Sequence, residues 1–431
     1  MSSSHPEAPA TAAPQSAATG SQPGGAASAA PSRFRLDPVE RRNVSLLVAA
    51  QALGGASPPI LLSLGGLVGQ TLASNAKLAT LPISLFQLGV ALSTIPAAIL
   101  MRQLGRRGAY VLGAMFGIVS GVGAGVSIMQ SSFLLFCIAT TLAGFYAACL
   151  QSYRFAATDS VPPAWRPTAI SRVMVGGLVA AIIGPQVVIW TRDSMPTAPF
   201  AGSFFGQAAL ALLALPLLAL LRPPPPTATT QSGPGRSLSV IARQPRFIVA
   251  VSAGVVSYGL MSFIMTAAPM AMVGCGHTVG EAALGIQWHV LAMFGPSFFT
   301  GRLIERFGKL QITALGLLMI AGAGAMALAG LELLNFWGSL ILLGVGWNFG
   351  FIGSTAMVTD CYQPAERNKV QALNDFLVFS TVAAASFGSG HLLNTAGWET
   401  INQLMFPLVA IVVLMLGWLG WRQSAEARVA S

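Results

Sequence analysis

Thr158-Asp-Ser-Val-Pro-Pro163-Ala-Trp-Arg166 returns 201 residues later as Thr359-Asp-Cys-Tyr-Gln-Pro364-Ala-Glu-Arg367, with five identities and no gap. A second pair, Leu104-Gly-Arg-Arg107 and Phe307-Gly-Lys-Leu310, recurs at an interval of 203. Each segment is a short polar stretch between long apolar runs. Loops repeated at one interval imply that the runs between them repeat too. Such a parallel repeat relates two groups of helices by an axis along the membrane normal.

Composition sets the class. Of 431 residues 54% are hydrophobic and 8% charged, against about 25% charged in soluble domains, and the mean hydropathy is +0.69. The runs approach the ~20 residues that cross a bilayer. The pattern predicts an all-α membrane protein of twelve transmembrane helices in two pseudo-symmetric six-helix halves. The expected division is a disordered tail at 1–42, helical halves at 43–221 and 247–422, a linker at 222–246 and a C-terminal tail at 423–431. Pro223-Pro-Pro-Pro226 followed by Thr, Gly and Ser marks the linker as a tether.

Of 23 Lys and Arg residues, 21 fall in the tails or in every second loop, leaving Lys77 and Arg192 on the other side. The positive-inside rule then predicts that both termini are cytoplasmic. The net charge of +10 follows from this asymmetry, and basic residues scattered over short loops exclude nucleic acid as a partner. The first 32 residues carry no apolar core or basic flank and do not read as a cleaved signal. Four cysteines show no disulfide spacing.

Two apolar segments carry soft metal ligands four residues apart, Met261-Ser-Phe-Ile-Met265 and His289-Val-Leu-Ala-Met293. That spacing places both members of each pair on one helix face. Thioether and neutral imidazole suit Cu(I). At 1.5 Å per residue Met261 and His289 both fall about 20 Å from the charged ends of their spans. Cys275 and His277, in the predicted turn between those spans, are candidates to collect the ion, and Cys361 to receive it. The repeat supplies a control: the counterparts of Met261, Met265, His289 and Met293 are Pro58, Leu62, Phe86 and Val90. The fold therefore does not require soft ligands there. The alternatives are methionine as packing and His289 as a ligand for an organic solute or a proton relay.

Asp375, beside Asn374, is a candidate for proton coupling or for pairing with a loop cation. No nucleotide loop of the form Gly-x-x-x-x-Gly-Lys-Ser/Thr occurs. No catalytic constellation occurs either, so the chain is expected not to be an enzyme and to bind no permanent cofactor.

Gly301-Arg-Leu-Ile-Glu305-Arg306-Phe-Gly308-Lys309 resembles the loop signature of the major facilitator superfamily. In the first copy Arg102 stands where the acid belongs. The resemblance implies alternating access, with Glu305 and Arg306 as gating residues. The segment from Met261 to His277, the run Ile286-Gln-Trp-His289-Val-Leu-Ala-Met293, and Cys361-Tyr-Gln-Pro-Ala-Glu-Arg-Asn-Lys-Val-Gln-Ala-Leu-Asn-Asp375 look like the CcoA-like branch of that family. That branch implies a bacterial inner-membrane importer of copper for cytochrome oxidase assembly, delivering to a cytoplasmic copper acceptor. It also contains riboflavin transporters, so riboflavin or another small organic solute is the alternative substrate. Proton-coupled efflux of a hydrophobic compound is a further one.

Overall fold

A backbone surrounded by lipid must satisfy its N–H and C=O groups within its own segment, which leaves the helix as the form for each apolar run. The computed structural model describes residues 37–162, 165–222, 235–363 and 366–430. Most of the expected N-terminal tail and of the linker lies outside them.

The helices in chain order are α1 (Pro38–Gly54), α2 (Ser57–Leu72), α3 (Leu81–Gln103), α4 (Gly105–Met129), α5 (Phe133–Gln151), α6 (Tyr153–Asp159), α7 (Arg166–Thr191) and α8 (Ala201–Ala219). They continue as α9 (Leu238–Ala242), α10 (Pro245–Gly274), α11 (Val279–Phe294), α12 (Ser297–Phe307), α13 (Lys309–Leu328), α14 (Leu333–Thr359), α15 (Arg367–Gln403) and α16 (Met405–Ala430). A 3₁₀ turn, Ala76–Leu78, precedes α3. Among the described residues no strand occurs.

Among the described residues ten helical stretches are long and apolar enough to cross a membrane, where the sequence predicts twelve spans. The differences have local causes. The eighth expected span divides at Gly295-Pro296 into α11 and α12, and α12 carries Arg302, Glu305 and Arg306. The last two expected spans lie within one continuous stretch, Lys369–Glu426. That stretch turns at Gly397, whose φ of 80° and ψ of 176° are not helical.

The repeated loops have a backbone reason to recur. Gly105 opens α4 with φ +69° and Gly308 opens α13 with φ +95°, and these are the paired glycines of the two copies. A residue with a Cβ resists that conformation, so the glycine keeps the turn between consecutive helices. The following cations then reach an acid at the start of the other repeated loop. Arg106 bonds Asp159, and Lys309 bonds Asp360 at 2.6 Å, where Arg246 also donates at 2.5 Å.

Helix α3 packs on α5, α4 on α5 and α8, α1 on α7, α10 on α14 and α15, α11 on α14, and α13 on α14. Further contacts join residues before the linker to residues after it, through α3 with α15, α7 with α11, and α2 with α10 and α11. They gather at one end. Thr80 Oγ1 donates to the Phe387 carbonyl (3.3 Å), Asn394 donates to the Ala76 carbonyl (3.1 Å), and Gln186 donates to Gln287 (3.1 Å). On α3 Leu92 and Ile95 are 64% and 68% exposed, and on α15 Phe376 is 64% exposed.

Candidate functional site

All four predicted metal ligands are buried, and Met261, Met265 and Met293 belong to one apolar cluster with Ile286, Val290 and Leu340. His289 is 0% exposed. Its Nδ1 lies 2.7 Å from the Leu340 carbonyl. A carbonyl only accepts, so Nδ1 carries the proton and Nε2 presents a bare lone pair. Nε2 has no hydrogen-bond partner. The contact that fixes the ring is to α14, not to α10. The two helices are so close that a Cβ at Gly344 would lie 2.5 Å from the His289 carbonyl. Next to the break after α11, Asn348 donates to the Met293 carbonyl (2.6 Å) and to Ser297 (2.7 Å) while accepting from Thr300 (2.6 Å). That network meets the polar demand of a broken helix inside a membrane. Met293 is thus held by its backbone.

The proposed collecting and receiving groups stand apart from this cluster. Cys275 is exposed at the end of α10. His277 Nε2 lies 2.9 Å from the Leu331 carbonyl, with its ring edge-on to Phe336. Cys361 is buried, and burial raises its thiol pKa. Among the described residues no cluster of three His, Cys, Asp or Glu side chains could hold a metal.

Glu305 and Arg306 are exposed on α12, and the Arg306 guanidinium lies 5.2 Å from the Phe307 ring centroid. The acid engaged with Lys309 is Asp360, not Glu305. Asp375 is exposed on α15, accepts from Asn374 at 3.1 Å, and interacts electrostatically with Arg154 of α6. Arg154 also acts on Tyr258 of α10. A basic and an acidic side chain from the two sides of the linker therefore face each other, both open to solvent, without closing into an ion pair.

Beside them is a cluster that the sequence reading did not single out. The Tyr258 ring lies 5.3 Å from Trp347, 5.0 Å from Phe351 and 5.8 Å from Phe379. Trp347 and Phe351, one turn apart on α14, are 16° from parallel. Phe294 of α11 completes the group, edge-on to Trp347 at 6.1 Å. Tyr258, Phe351 and Phe379 keep part of their rings open. Trp347 Nε1 and Ser257 Oγ are buried without a partner. A usable signal existed in the spacing Trp347-x-x-x-Phe351 and in the repeat. At the repeat intervals Tyr258, Trp347, Phe351 and Phe379 correspond to Gly55, Tyr146, Leu150 and Leu178. An apolar groove of about 570 Å³, lined by Ile248, Val249, Leu414 and Trp418, lies elsewhere between α10 and α16.

The linker also differs from a plain tether where its end is described. Arg236 forms a fork to Glu366 (2.8 and 2.7 Å), donates from its backbone to the same carboxylate (2.6 Å), and reaches the Cys361 carbonyl (3.1 Å). These charge-assisted bonds hold the Glu366 carboxyl down to a pKa of about 2.

Known proteins place this geometry. The chain is 62% identical, over 87% of its length and 95% of the relative's, to the riboflavin transporter RfnT of Brucella anthropi. It is 30% identical to the uncharacterized MFS-type transporter YdeG of Bacillus subtilis, over 88% of this chain and 92% of that one. In fold it is similar to the transporter FucP in its outward conformation (TM-score 0.57, 17% identity, covering 87% of this chain and 98% of FucP). It is also similar to the human organic anion transporter MFSD10 (TM-score 0.64, 15% identity, covering 88% of this chain and 100% of MFSD10). The family described as Major Facilitator Superfamily matches residues 44–353 and 297–431. With its helical bundle, its repeated charged loops and these relatives, the chain belongs to the Major Facilitator Superfamily, a family of transporters and not of enzymes.

Proposed function

We propose that this protein carries riboflavin into the cell across the inner membrane, by alternating access of two six-helix halves whose termini are cytoplasmic. The observation that carries this reading is the 62% identity, over nearly the full length of both chains, to a protein described as a riboflavin transporter. It moves the organic solute ahead of copper.

The packing supports the mechanism. The pairs α1–α7 and α10–α15, and α4–α5 and α13–α14, stand at equivalent places in the repeat. The contacts of Thr80 with Phe387, of Asn394 with Ala76 and of Gln186 with Gln287 join the two sides of the linker, as a rocking pair needs in at least one of its states. Transport follows when substrate binding lowers the cost of passing to the opposite state.

Copper stands as the second reading. It is favoured by the bare His289 Nε2 lone pair, buried on α11, which also carries Met293 and packs against α10 with Met261 and Met265. A soft cation is the partner such donors suit. It would travel as substrate to a cytoplasmic copper acceptor, with Cys275, His277 and Cys361 along its path.

One experiment separates the two. Uptake of labelled riboflavin and of ⁶⁴Cu is measured in cells expressing wild type, Met265→Ala or His289→Ala. The flavin reading expects riboflavin uptake above the empty-vector level and no added ⁶⁴Cu. Copper accumulation lost in both variants, with no flavin uptake by wild type, reverses the order.

A further inference from the structure

We propose that the face formed by Tyr258, Trp347, Phe351 and Phe379 is the stacking site for the planar fused-ring part of the substrate, with Arg154 and Asp375 meeting its polar end. The proposal rests on the flavin reading above and names the site which that reading requires.

Three observations converge on it. The first is geometry: four rings from three helices meet around Tyr258, and two of them lie nearly parallel. Aromatic faces so arranged attract a further flat ring in an offset stack, and such stacking tolerates any heterocycle with a π face. The second is exposure. Phe136 and Phe204 close over each other at 0% exposure, whereas Tyr258, Phe351 and Phe379 keep part of their surface accessible. The third is the unused polarity at the rim. Trp347 Nε1 is a buried donor with no acceptor. Arg154, within electrostatic reach of Tyr258, and Asp375, within reach of Arg154, are both exposed and offer a donor and an acceptor to a hydroxylated side chain.

The internal repeat separates this site from the needs of the fold. At the positions equivalent to Tyr258, Phe351 and Phe379 the first half carries Gly55, Leu150 and Leu178. Asp375 is matched by Met174 and Arg154 by Thr355. The first half thus lacks a ring at three of the four positions, while Trp347 is matched by Tyr146, so the fold does not require rings at Tyr258, Phe351 and Phe379. A ring system of three fused six-membered rings with carbonyls on one edge and a polyol on the other, as in riboflavin, suits an aromatic face with charges beside it.

The test replaces Phe351 and Phe379 by the leucine that their counterparts carry, and Tyr258 by leucine as well. Riboflavin uptake kinetics are compared for wild type, Phe351→Leu, Phe379→Leu and Tyr258→Leu, with membrane levels measured in the same cells. Tyr258→Phe keeps the ring and serves as the rescue. Lumiflavin (the ring without the polyol) and ribitol (the polyol without the ring) are added as competitors. The expected result is a KM raised about tenfold or more by the Leu variants at unchanged membrane level, near wild-type behaviour of Tyr258→Phe, and competition by lumiflavin only. A KM within about twofold of wild type in all three Leu variants, or competition by ribitol alone, overturns the site. A wild type with no riboflavin uptake defeats the function reading instead. Quenching of lumiflavin fluorescence by the purified protein then decides the site: quenching lost in Phe351→Leu supports it, and no quenching by wild type overturns it.

Discussion

Residues 38–222 and 235–430 carry the repeated loops, and two of the places where the copies diverge stand out. The first is the centre, where Gly55, Leu150 and Leu178 on one side of the repeat face Tyr258, Phe351 and Phe379 on the other. The second is the set of charged loops. Asp159 holds one cation, Arg106, whereas Asp360 holds Arg246 and Lys309. Glu366 pairs with Arg236 where the first copy has Trp165, whose ring lies near Arg172. What both copies share is what the bundle needs: a left-handed glycine, an acid and a cation at each repeated loop. What they do not share includes the rings proposed above to meet the substrate.

The largest effect should come from a close contact that the two copies solve differently. Gly316 faces Gly350, and a Cβ there would lie 2.2 Å from the Gly350 nitrogen, a backbone atom that cannot turn aside. The equivalent Gly113 faces Cys149, where the same Cβ meets Sγ at 2.9 Å. Overpacking of this kind costs about 1–3 kcal/mol. Thermal unfolding in detergent should show Gly316→Ala clearly destabilised and Gly113→Ala less so. Equal losses would mean that the two contacts are not the same joint.

A smaller effect concerns the loops. Each exposed ion pair contributes about 0.2–1 kcal/mol, and Asp360 takes part in two. Asp360→Asn should therefore reduce transport rate more than Asp159→Asn at matched membrane level. The reverse order would locate the gate in the first copy.

The Arg236–Glu366 fork gives a pH-dependent contrast. The Glu366 carboxyl is held at about 2, below the ~4.3 of a free glutamate. Its depressed pKa makes its contribution to stability complete above about pH 4.3 and lost as pH falls toward about 2. The melting-temperature gap between wild type and Glu366→Gln should narrow over that window. A gap that persists unchanged at the acid end would assign the stability to something other than this charge.

The smallest contrast is chemical. Maleimide should label exposed Cys275 quickly and buried Cys361 slowly, because burial raises the Cys361 thiol pKa and lowers its thiolate fraction. Comparable rates would mean that the loop around Cys361 opens readily.

Class and repeat were legible in the chain because apolar runs of bilayer length and loops at a fixed interval leave little else to build. The break at Gly295-Pro296 was not, since hydropathy averages over Pro296 and cannot show Asn348 arriving from α14 to satisfy the Met293 carbonyl. The Met and His side chains read as metal ligands are buried, and His289 Nε2 has no hydrogen-bond partner. Their spacing could not reveal that Leu340, on a third helix, orients the imidazole. The aromatic face was missed because tyrosine, tryptophan and phenylalanine in apolar spans read as packing. Only comparison of the two copies, position by position, sets Tyr258, Phe351 and Phe379 apart. Arg154 was hidden for another reason. It counts as a loop cation by orientation, yet it ends beside Asp375 and Tyr258.

The most direct test of the account is counterflow in proteoliposomes containing the purified protein. Vesicles loaded with unlabelled riboflavin are diluted into labelled riboflavin, and internal label is followed over time. The account predicts a transient accumulation of label that is blocked by lumiflavin and weakened by Phe351→Leu. Vesicles that show no riboflavin counterflow but take up ⁶⁴Cu would contradict it.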